Sequence, residues 1–430
     1  MKQLIDQNLL QEHNAKQETA VTSDYNALAE KLDRSGIKID TILAQAKEFA
    51  VAVPSWGVGT GGTRFARFPG QGEPRNIFEK LDDCSVIQQL CQATPTVSLH
   101  IPWDKPKDPS ELRQYVEQYG LRFDAMNSNT FQDQIGQEES YKFGSLAHTS
   151  KAARDQAIAH NIEVAELGEK LGSKALTVWV GDGSNFPGQQ HFKNSFTHYL
   201  ESIKEIYNSL PDDWNMLLEH KIFEPAFYST VIQDWGSSYL AAKETGERCL
   251  SLVDLGHHAP NVNIEMIVSR LAQFGKLGGF HFNDSKYGDD DLDSGSINPY
   301  QLFLIFNELT DIRAQDPSYS PFYMLDQSHN VTDPVESLMY SAAEVQRAFV
   351  KSLLVDRQVL TQYQDANDPM MAQATLKQAY NLDVEVILQM ARLQEGGAIS
   401  PVACYRASQY RQACTKNRPA DPNKTGSGIV

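Results

Sequence analysis

The sequence predicts an α/β protein built on a (β/α)8 TIM barrel, and three observations support this fold. Eight short runs rich in apolar or β-branched residues recur between residues 49 and 330, and each ends in polar residues. Segments with helical spacing separate these runs, which implies a parallel sheet with right-handed crossovers. Eight strands with intervening helices match the element count of a TIM barrel, and an open doubly wound sheet is the competing architecture.

The elements follow one another in a regular order. Residues 1–48 are expected to be helical, because Leu28, Leu32, Ile39 and Ile42 recur at helical spacing. The predicted strands lie within residues 49–56, 96–103, 121–129, 174–183, 214–223, 249–258, 277–286 and 322–330. Predicted helices between them include residues 77–92, 155–172, 196–210 and 264–275.

The alternation of strands and helices stops after residue 352. Residues 353–411 are helical in pattern, for example over 374–393. Because this extension follows a complete barrel, we expect it to pack on a neighbouring subunit and to form an oligomer. Residues 415–430 are rich in Pro, Gly, Asn and Lys and predict a loose tail. The predicted division is a helical segment 1–48, a catalytic barrel 49–352 and a helical extension 353–430.

Charge and composition exclude several classes of partner. The 430 residues include 38 Lys and Arg against 55 Asp and Glu, a net charge of −17. Such a charge repels a phosphate backbone, so we expect neither nucleic-acid nor anionic-membrane binding. No apolar run approaches the roughly 18 residues of a membrane span, and the N-terminus shows no signal-peptide pattern. Five scattered cysteines without a CxxC pair fit a reducing cytoplasm.

Polar residues at the ends of the last four strand-like runs predict a metal site. Glu219 and Lys221 lie two positions apart and therefore share one face of their strand. Asp254 ends the next run, and Gly256 can let the backbone turn so that His257 faces the same side. Because the carboxyl ends of barrel strands meet at one mouth, these side chains are expected to converge.

The two remaining runs and the acidic loop between them complete the set. His281 lies in the seventh run, and Asp326 ends the eighth. Asp289 and Asp291 of the loop share a face if that loop is locally extended. The predicted ligands are therefore Glu219, Asp254, His257, His281, Asp289, Asp291 and Asp326.

The charge of this cluster predicts two divalent cations per subunit. Five neighbouring carboxylates raise one another's pKa and cannot all stay ionised unaided, whereas two dications bring +4 against −5. Mixed oxygen and nitrogen ligands suit Mn²⁺ first, with Co²⁺, Mg²⁺ or Zn²⁺ as alternatives. Any one of these residues alone is more often a solvated charge or a satisfied polar group. Seven of them at consecutive strand ends outweigh that interpretation.

Aromatic residues also crowd the strand ends, where they line a predicted pocket or simply pack in the core. They are Trp56, Trp103, Phe131 and Trp179. His100 is either a substrate contact or a hydrogen-bonded core histidine.

A glycine motif, Gly57, Gly59 and Gly62, fits G-x-G-x-x-G. No helix pattern follows it, so we expect a loop over the barrel mouth, with Phe65 at its tip, rather than a dinucleotide site.

Several long motifs resemble a known family. They include VSLHIPWD, LTVWVGDGSNFPGQ, VDLGHHAPNVNIEMI and GGFHFNDSKYGDDDLD. Together with similar stretches over about residues 50–412, these motifs resemble bacterial L-rhamnose isomerases of the broad-specificity type that also interconverts D-allose and D-psicose. The E-x-K, D-x-x-H and D-x-D spacings are similar to those of the wider xylose isomerase-like barrels.

The resemblance implies a homotetramer with two Mn²⁺-type ions in each barrel. One ion would be held by Glu219, Asp254, His281 and Asp326. The other would be held by His257, Asp289 and Asp291, with Asp254 bridging.

The resemblance also implies the sugar contacts. Lys221 would contact the oxygen at the reacting end of the sugar, and Ser328 would face the far hydroxyls. Trp179, His100 and Phe131 would line the pocket, and Phe65 of a neighbouring subunit would close it. Trp56 and Trp103 are the other pocket candidates, and Asp326 or His100 is expected to assist ring opening.

The hypothesis that follows is aldose–ketose isomerisation of L-rhamnose to L-rhamnulose. A hydride would shift between C1 and C2 while a metal-bound water moves the proton between O1 and O2. The rivals are a metal-dependent phosphodiesterase or endonuclease, a sugar epimerase on the same barrel, and a non-catalytic sugar-binding module. The charge of −17, with Lys221 the only base among the strand-end ligands, argues against a phosphate substrate.

Overall fold

Parallel strands form the centre of the fold in the computed structural model, which describes residues 2–59, 70–224, 228–327 and 331–419. The strands are β1 (Val53–Pro54), β2 (Thr96–Ile101), β3 (Arg122–Ser128), β4 (Ala175–Val178), β5 (Gly183–Ser184), β6 (Asn215–Glu219), β7 (Phe223–Glu224), β8 (Tyr228–Thr230), β9 (Cys249–Asp254), β10 (Leu277–Phe282) and β11 (Phe322–Leu325). Every predicted run therefore contains a strand.

Eight of these strands form one parallel sheet that closes on itself. Its order is β1-β2-β3-β4-β6-β9-β10-β11. Ala52, just before β1, forms a parallel bridge with Met324 of β11. The amide of Ala52 donates to the Tyr323 carbonyl at 2.8 Å, and the amide of Leu325 donates to the Ala52 carbonyl at 2.9 Å. The first and last strands are therefore neighbours, which confirms the TIM barrel and rules out the open sheet.

Helices surround the barrel and extend it at both ends. They are α1 (Gln7–Ala15), α2 (Glu18–Asp33), α3 (Ile39–Glu48), α4 (Ile77–Cys91), α5 (Pro109–Glu117), α6 (Lys151–Leu171), α7 (Phe192–Ser209), α8 (Trp235–Thr245), α9 (Ile264–Gln273), α10 (Pro299–Gln315), α11 (Pro334–Leu353), α12 (Arg357–Asp365), α13 (Pro369–Tyr380), α14 (Glu385–Gln394), α15 (Pro401–Ser408) and α16 (Tyr410–Asn417), with a 3-10 helix at Ser55–Val58. Many begin at a polar cap; Asp333, for example, accepts from the Val335 amide at 2.9 Å, directly before Pro334. No helix in the described ranges is long and apolar enough to cross a membrane.

The C-terminal region is helical as expected, but one expectation for it is wrong. The helical pattern over 374–393 forms two helices, α13 and α14, and Asp383 accepts from the Glu385 amide at 3.0 Å where α14 begins. Such a carboxylate favours a new helix start over continuation. The tail is not loose from residue 415, because α16 continues to Asn417 and Arg418 is buried.

The barrel buries both faces of its strands, which explains their apolar composition. One small cluster fills the barrel interior: Ala52, Ala125, Ala175, Leu217, Leu252 and Met324. A much larger cluster lies between the strands and the surrounding helices and extends into the N- and C-terminal helices. One continuous core therefore connects the barrel with both helical segments.

The N-terminal and C-terminal helical segments contact each other within one chain. The side-chain amide of Asn14 forms two hydrogen bonds to the C-terminal region. Its Nδ2 donates to the Gly397 carbonyl at 2.8 Å, and its Oδ1 accepts from the Ile399 backbone amide at 2.9 Å. Lys47 and Glu395 form an ion pair at 2.6 Å. Part of the C-terminal extension is thus covered by the chain's own N-terminal helices.

Candidate functional site

Four acidic or imidazole side chains from separate barrel strands meet at the carboxyl end of the sheet. Glu219 ends β6, Asp254 ends β9, His281 lies in β10 and Asp326 directly follows β11. Parallel barrel strands bring such positions to one mouth. One ligand atom from each of these residues lies within 4.8 Å of all the others. We call these four residues the acidic cluster.

His281 occupies the centre of the acidic cluster. Its Nδ1 lies 3.2 Å from Glu219 Oε1, 3.5 Å from Asp326 Oδ2 and 3.8 Å from Asp254 Oδ2. Its Nε2 is buried and has no hydrogen-bond partner among the described residues. Three carboxylates therefore surround the same ring nitrogen.

Burial, repulsion between the carboxylates and attraction between carboxylates and histidines together set the pKa values in the cluster. Burial raises the pKa of Asp326 to about 7, with Asp254 and Glu219 adding to the effect and His281 opposing it. Burial also raises the pKa of Asp254. Burial alone would raise the pKa of Glu219, but His281 and His257 outweigh it and lower that pKa. Burial would lower the pKa of His281, yet Glu219 and the other carboxylates raise it to about 9.

This donor set fits a divalent cation. It offers three carboxylates and one imidazole, the mixed oxygen and nitrogen ligation that Mn²⁺ and related ions accept. Burial raises the pKa of Asp326, and the charges of Asp254 and Glu219 raise it further although His281 lies beside it. A dication bound among these atoms would supply positive charge and displace the proton from His281 Nδ1.

Four further predicted residues flank the cluster in a second group. The Nε2 atom of His257 lies 2.9 Å from Asp289 Oδ1 and 4.0 Å from Asp254 Oδ1. The ammonium of Lys221 contacts the other carboxylate oxygen of Asp289. Burial raises the pKa of Asp291, and the charges of Asp289, Asp326 and Asp254 raise it further. Asp289 thus lies between a histidine and a lysine, beside the acidic cluster.

The acidic loop reaches this position in a conformation different from the expected one. Asp289 and Asp291 have φ values of 52° and 48°, so the loop is not extended. Two left-handed residues separated by one position turn the chain, and among residues other than glycine the short polar ones tolerate this conformation best. The Asp289 amide donates to the Gly256 carbonyl at 3.0 Å, which fixes the loop against the turn after β9.

Four hydrogen bonds to the cluster carboxylates come from three groups that sequence reasoning did not assign to them. The Asn283 amide donates to both oxygens of Asp254, at 3.0 and 3.1 Å, and the Gly256 backbone amide donates to Oδ1 at 2.7 Å. The Trp56 indole donates to Asp326 Oδ1 at 2.7 Å. Asn283 was detectable, because it lies two positions from His281 on the same strand face.

The predicted aromatic residues line one wall of the mouth. Phe131 and Trp179 pack with ring centroids 4.4 Å apart. His100 packs 4.6 Å from Trp103, 5.4 Å from Trp56 and 5.6 Å from Phe131. The Lys221 ammonium lies 5.2 Å from the centre of the Trp179 ring, so this wall borders the charged residues directly.

Buried partners hold this wall beside the first two strands. Asp104 is fully buried and accepts hydrogen bonds from the Ser55 hydroxyl, from the His100 backbone amide at 2.8 Å and from Lys80 at 2.8 Å. Sequence reasoning did not single out Asp104. Burial lowers the pKa of His100 to about 4, so its ring is neutral near pH 7.

Two further predicted pocket residues, Phe65 and Ser328, lie outside the described residues, as does Gly62 of the glycine motif. The short 3-10 helix Ser55–Val58 contains the first glycine, and the next described helix begins only at Ile77.

Two rhizobial proteins are highly similar to this chain. A probable sugar isomerase of Mesorhizobium japonicum is 63% identical over 428 residues, covering 99% of both chains. A probable sugar isomerase of Rhizobium meliloti is 62% identical over 431 residues, covering 100% of both. No protein-family model matches the sequence.

Solved structures share the fold at low sequence identity. An L-ribulose 3-epimerase has a TM-score of 0.52 at 14% identity and covers 72% of this chain and 98% of its own. A Sinorhizobium meliloti protein has a TM-score of 0.50 at 10% identity, over 70% of this chain and 98% of its own.

Proposed function

This chain belongs to the sugar isomerase family of its two rhizobial relatives, and on that premise we propose that it is a metal-dependent aldose–ketose isomerase. The proposed reaction converts L-rhamnose to L-rhamnulose, and D-allose to D-psicose is the second proposed conversion. The acidic cluster carries this proposal, because four metal-ligating groups lie within 4.8 Å of one another beside an aromatic wall.

The proposed metal ligands follow from that geometry. Glu219, Asp254, His281 and Asp326 would hold one divalent cation, with Mn²⁺ as the first candidate. A second cation would be held by His257, Asp289 and Asp291 together with Asp254. Asp289 would then bind this cation in place of its present contact with Lys221. A bound dication would polarise the oxygen atoms at the reacting end of the sugar.

Lys221 has the position expected of a residue that stabilises developing negative charge. Its ammonium is buried, contacts Asp289 and lies 5.2 Å from the Trp179 ring. Between those two groups it can donate a hydrogen bond to a sugar oxygen at the mouth. Because the surroundings are buried, a fixed positive charge there acts more strongly on that oxygen than it would in water.

His100 is the proposed group for opening the sugar ring. Its imidazole is neutral near pH 7, because burial lowers its pKa to about 4. A neutral imidazole can accept the proton of the anomeric hydroxyl as the ring opens. Asp326 is the second proposed assistant, since its raised pKa of about 7 lets it exchange a proton near neutrality.

The aromatic wall supports a deoxy sugar as substrate. Phe131 and Trp179 pack at 4.4 Å and present apolar surface beside Lys221. The C6 methyl group of L-rhamnose would lose its water contacts favourably there. A hydroxyl group at C6 would have fewer hydrogen-bond partners beside the same rings than it has in water.

We also propose a cytoplasmic homotetramer. Exposed large apolar side chains lie on several connections that leave the carboxyl ends of the barrel strands: Ile135, Phe143, Phe186, Tyr287 and Val331. Apolar groups displayed in this way favour burial against another subunit.

One assay tests the proposed reaction. The purified protein is loaded with Mn²⁺ and incubated with L-rhamnose or D-allose, and the products are identified by chromatography and NMR. A ketose with unchanged C3 configuration is expected. In parallel incubations, inversion at C3 of a D-psicose substrate would indicate an epimerase, and cleavage of a phosphodiester substrate with no ketose formed from either aldose would indicate a hydrolase.

The same assay in D₂O separates two routes. A hydride shift transfers hydrogen directly between C1 and C2, so the product should carry no solvent deuterium on carbon. Deuterium at C1 or C2 would point to an ene-diol and contradict the proposed shift.

A further inference from the structure

The acidic loop between β10 and α10 is closed at its base by a pair of backbone hydrogen bonds. The Asp284 amide donates to the Leu292 carbonyl, and the Leu292 amide donates to the Asp284 carbonyl, both at 2.9 Å. We call residues 284–292 the bridged loop. It follows the carboxyl end of β10 and carries Asp289 and Asp291, two of the predicted metal ligands.

A third aspartate of the bridged loop, Asp290, binds backbone amides of the loop itself. Its Oδ2 accepts from the Lys286 amide at 2.7 Å and from the Tyr287 amide at 2.9 Å. Its Oδ1 accepts from the Gly288 amide at 3.0 Å. Hydrogen bonds to an ionised acceptor are roughly twice as strong as those between neutral groups. One side chain therefore holds three successive residues of the loop.

The residues that follow these amides have an unusual backbone conformation. Gly288, Asp289 and Asp291 have φ values of 133°, 52° and 48°. A residue other than glycine with a positive φ is costly and persists only where the surrounding structure fixes it. The hydrogen bonds to Asp290 provide such fixation, because they hold the backbone directly before the two left-handed aspartates.

The conformation of the bridged loop decides where these aspartates lie. The Asp289 amide donates to the Gly256 carbonyl at 3.0 Å, so the loop contacts the turn after β9. The Asp289 carboxylate lies 2.9 Å from Nε2 of His257, beside the acidic cluster. The charges of Asp289, Asp326 and Asp254 act on Asp291, so this second aspartate is also near the cluster.

We propose that Asp290 is a positioning residue, whose carboxylate holds the bridged loop in the conformation that brings Asp289 and Asp291 to the barrel mouth. The consequence for a second metal ion rests on the proposed function, whereas the effect on the loop does not. Of the three consecutive aspartates, the outer two would then serve the site, and the middle one would serve the loop.

The chemistry of a carboxylate matters at this position. Asp290 uses both of its oxygens as acceptors, and all three of its partners are N–H donors. An asparagine has one acceptor oxygen, and its NH₂ group would face a donor where the second oxygen now lies. Asp290→Asn should therefore keep part of the loop structure, whereas Asp290→Ala removes all three hydrogen bonds.

Asp316 offers a matched control at the opposite end of the barrel. It is an exposed residue of the connection between α10 and β11, and its carboxylate accepts from the Ser318 amide at 3.0 Å. This connection leads to the amino end of β11, away from the acidic cluster. Asp316→Ala thus removes an aspartate and its hydrogen bond to a backbone amide without touching the bridged loop.

Hydrogen exchange on the metal-free protein tests the role of Asp290 in the loop. The reporters are the Asp289 and Leu292 amides, whose acceptors are backbone carbonyls and not Asp290 itself. We expect Asp290→Ala to speed exchange at both by about tenfold, because local opening of the loop becomes easier. Asp290→Asn should be intermediate, and Asp316→Ala should leave both amides within about twofold of the wild type.

Mn²⁺ titration of the same variants, followed by the EPR signal of the free ion, gives a second readout. Asp290→Ala should weaken the ion assigned to His257, Asp289 and Asp291 by about tenfold, as loss of groups that orient metal ligands typically does. The ion assigned to the acidic cluster should change by less than about twofold, because none of its four ligands lies in the bridged loop. General destabilisation would weaken both ions alike.

The two readouts separate the possible results. Equal exchange rates in Asp290→Ala and the wild type would overturn the proposal, and a lost ion in that case would make Asp290 a ligand instead. Faster exchange with unchanged affinity for both ions would contradict the positioning role. Faster exchange in a chain whose wild type binds no Mn²⁺ would support the role in the loop and contradict the proposed metal site.

Discussion

The indole of Trp56 donates a 2.7 Å hydrogen bond to Asp326, linking the residues that follow the first and last strands of the barrel. Asp326 Oδ1 receives this bond, while Oδ2 lies 3.5 Å from His281 Nδ1. The bond therefore orients one carboxylate so that its other oxygen points into the acidic cluster. An aromatic residue chosen from the sequence as a sugar contact thus also supports a proposed metal ligand.

Replacing Trp56 with Phe should weaken Mn²⁺ binding by about tenfold, because Asp326 loses the donor that orients it. The ring that packs 5.4 Å from His100 is kept in part. Isothermal titration of the metal-free protein measures the change. Trp103→Phe is the control, because that ring packs on the same His100 ring, with the centroids 4.6 Å apart. An unchanged dissociation constant in Trp56→Phe would contradict the role assigned to the hydrogen bond.

Chelation should lower the melting temperature as well as stop turnover. A ligand that binds only the folded state at about 100 times its dissociation constant stabilises that state by about 2.7 kcal/mol. Differential scanning calorimetry with and without EDTA should therefore show a fall of several degrees. In Glu219→Gln, which lacks one cluster carboxylate, the EDTA effect should largely disappear. The same melting curve with and without EDTA in the wild type would count against metal binding.

Replacing Lys221 with Met should lower kcat by at least about a hundredfold, because a fixed charge that stabilises developing negative charge is lost. Metal binding should change much less, since Lys221 is not among the four cluster ligands. Steady-state kinetics and Mn²⁺ titration on one preparation separate the two effects. Near-normal turnover would remove the role proposed for this lysine, and loss of Mn²⁺ binding would make it a structural partner of Asp289.

L-rhamnose should be preferred over L-mannose, which differs from it by a hydroxyl at C6. Shortening the aromatic wall by Phe131→Ala should lower kcat/KM for L-rhamnose by about tenfold or more and reduce the preference. Phe274→Ala is the control, because that residue is 60% exposed directly after α9, before the amino end of β10 and away from the barrel mouth. Equal losses for both sugars would mean that Phe131 contributes packing without recognising the methyl group.

Mn²⁺ affinity should rise with pH, because the metal-free cluster holds protons that the metal must displace. The carboxylates raise the pKa of His281 to about 9, and burial raises that of Asp326 to about 7. One proton released between pH 7 and 9 corresponds to about a tenfold gain in affinity per pH unit. Calorimetry in buffers of different ionisation enthalpy counts that proton. Binding without proton release at pH 7.5 would contradict a protonated His281.

Much of the fold could be predicted because local patterns decide it. Short apolar runs with helical segments between them specify strands and crossovers, and every predicted run contains a strand. The exceptions depend on contacts far away in sequence. Arg418 belongs to a polar tail by composition, yet it is buried because Asp83 of α4 offers it a carboxylate. Composition alone does not reveal that partner.

The acidic cluster was foreseeable for a geometric reason. Side chains alternate along a strand, and parallel strands of a barrel present their carboxyl ends at one mouth. Residues Glu219, Asp254, His281 and Asp326 could therefore be grouped before any distance was known. The loop residues could not be placed in the same way, since Asp289 and Asp291 adopt left-handed backbone angles that no strand periodicity describes.

The sequence by itself determined the order of strands and helices, the charge of the barrel mouth and the residue types gathered there. Only the tertiary structure decided which donors orient these residues: Trp56 on Asp326 and Asn283 on Asp254. Periodicity repeats over a few residues and is visible in the sequence. A hydrogen bond between residues 270 positions apart, such as that from Trp56 to Asp326, exists only once the barrel has closed.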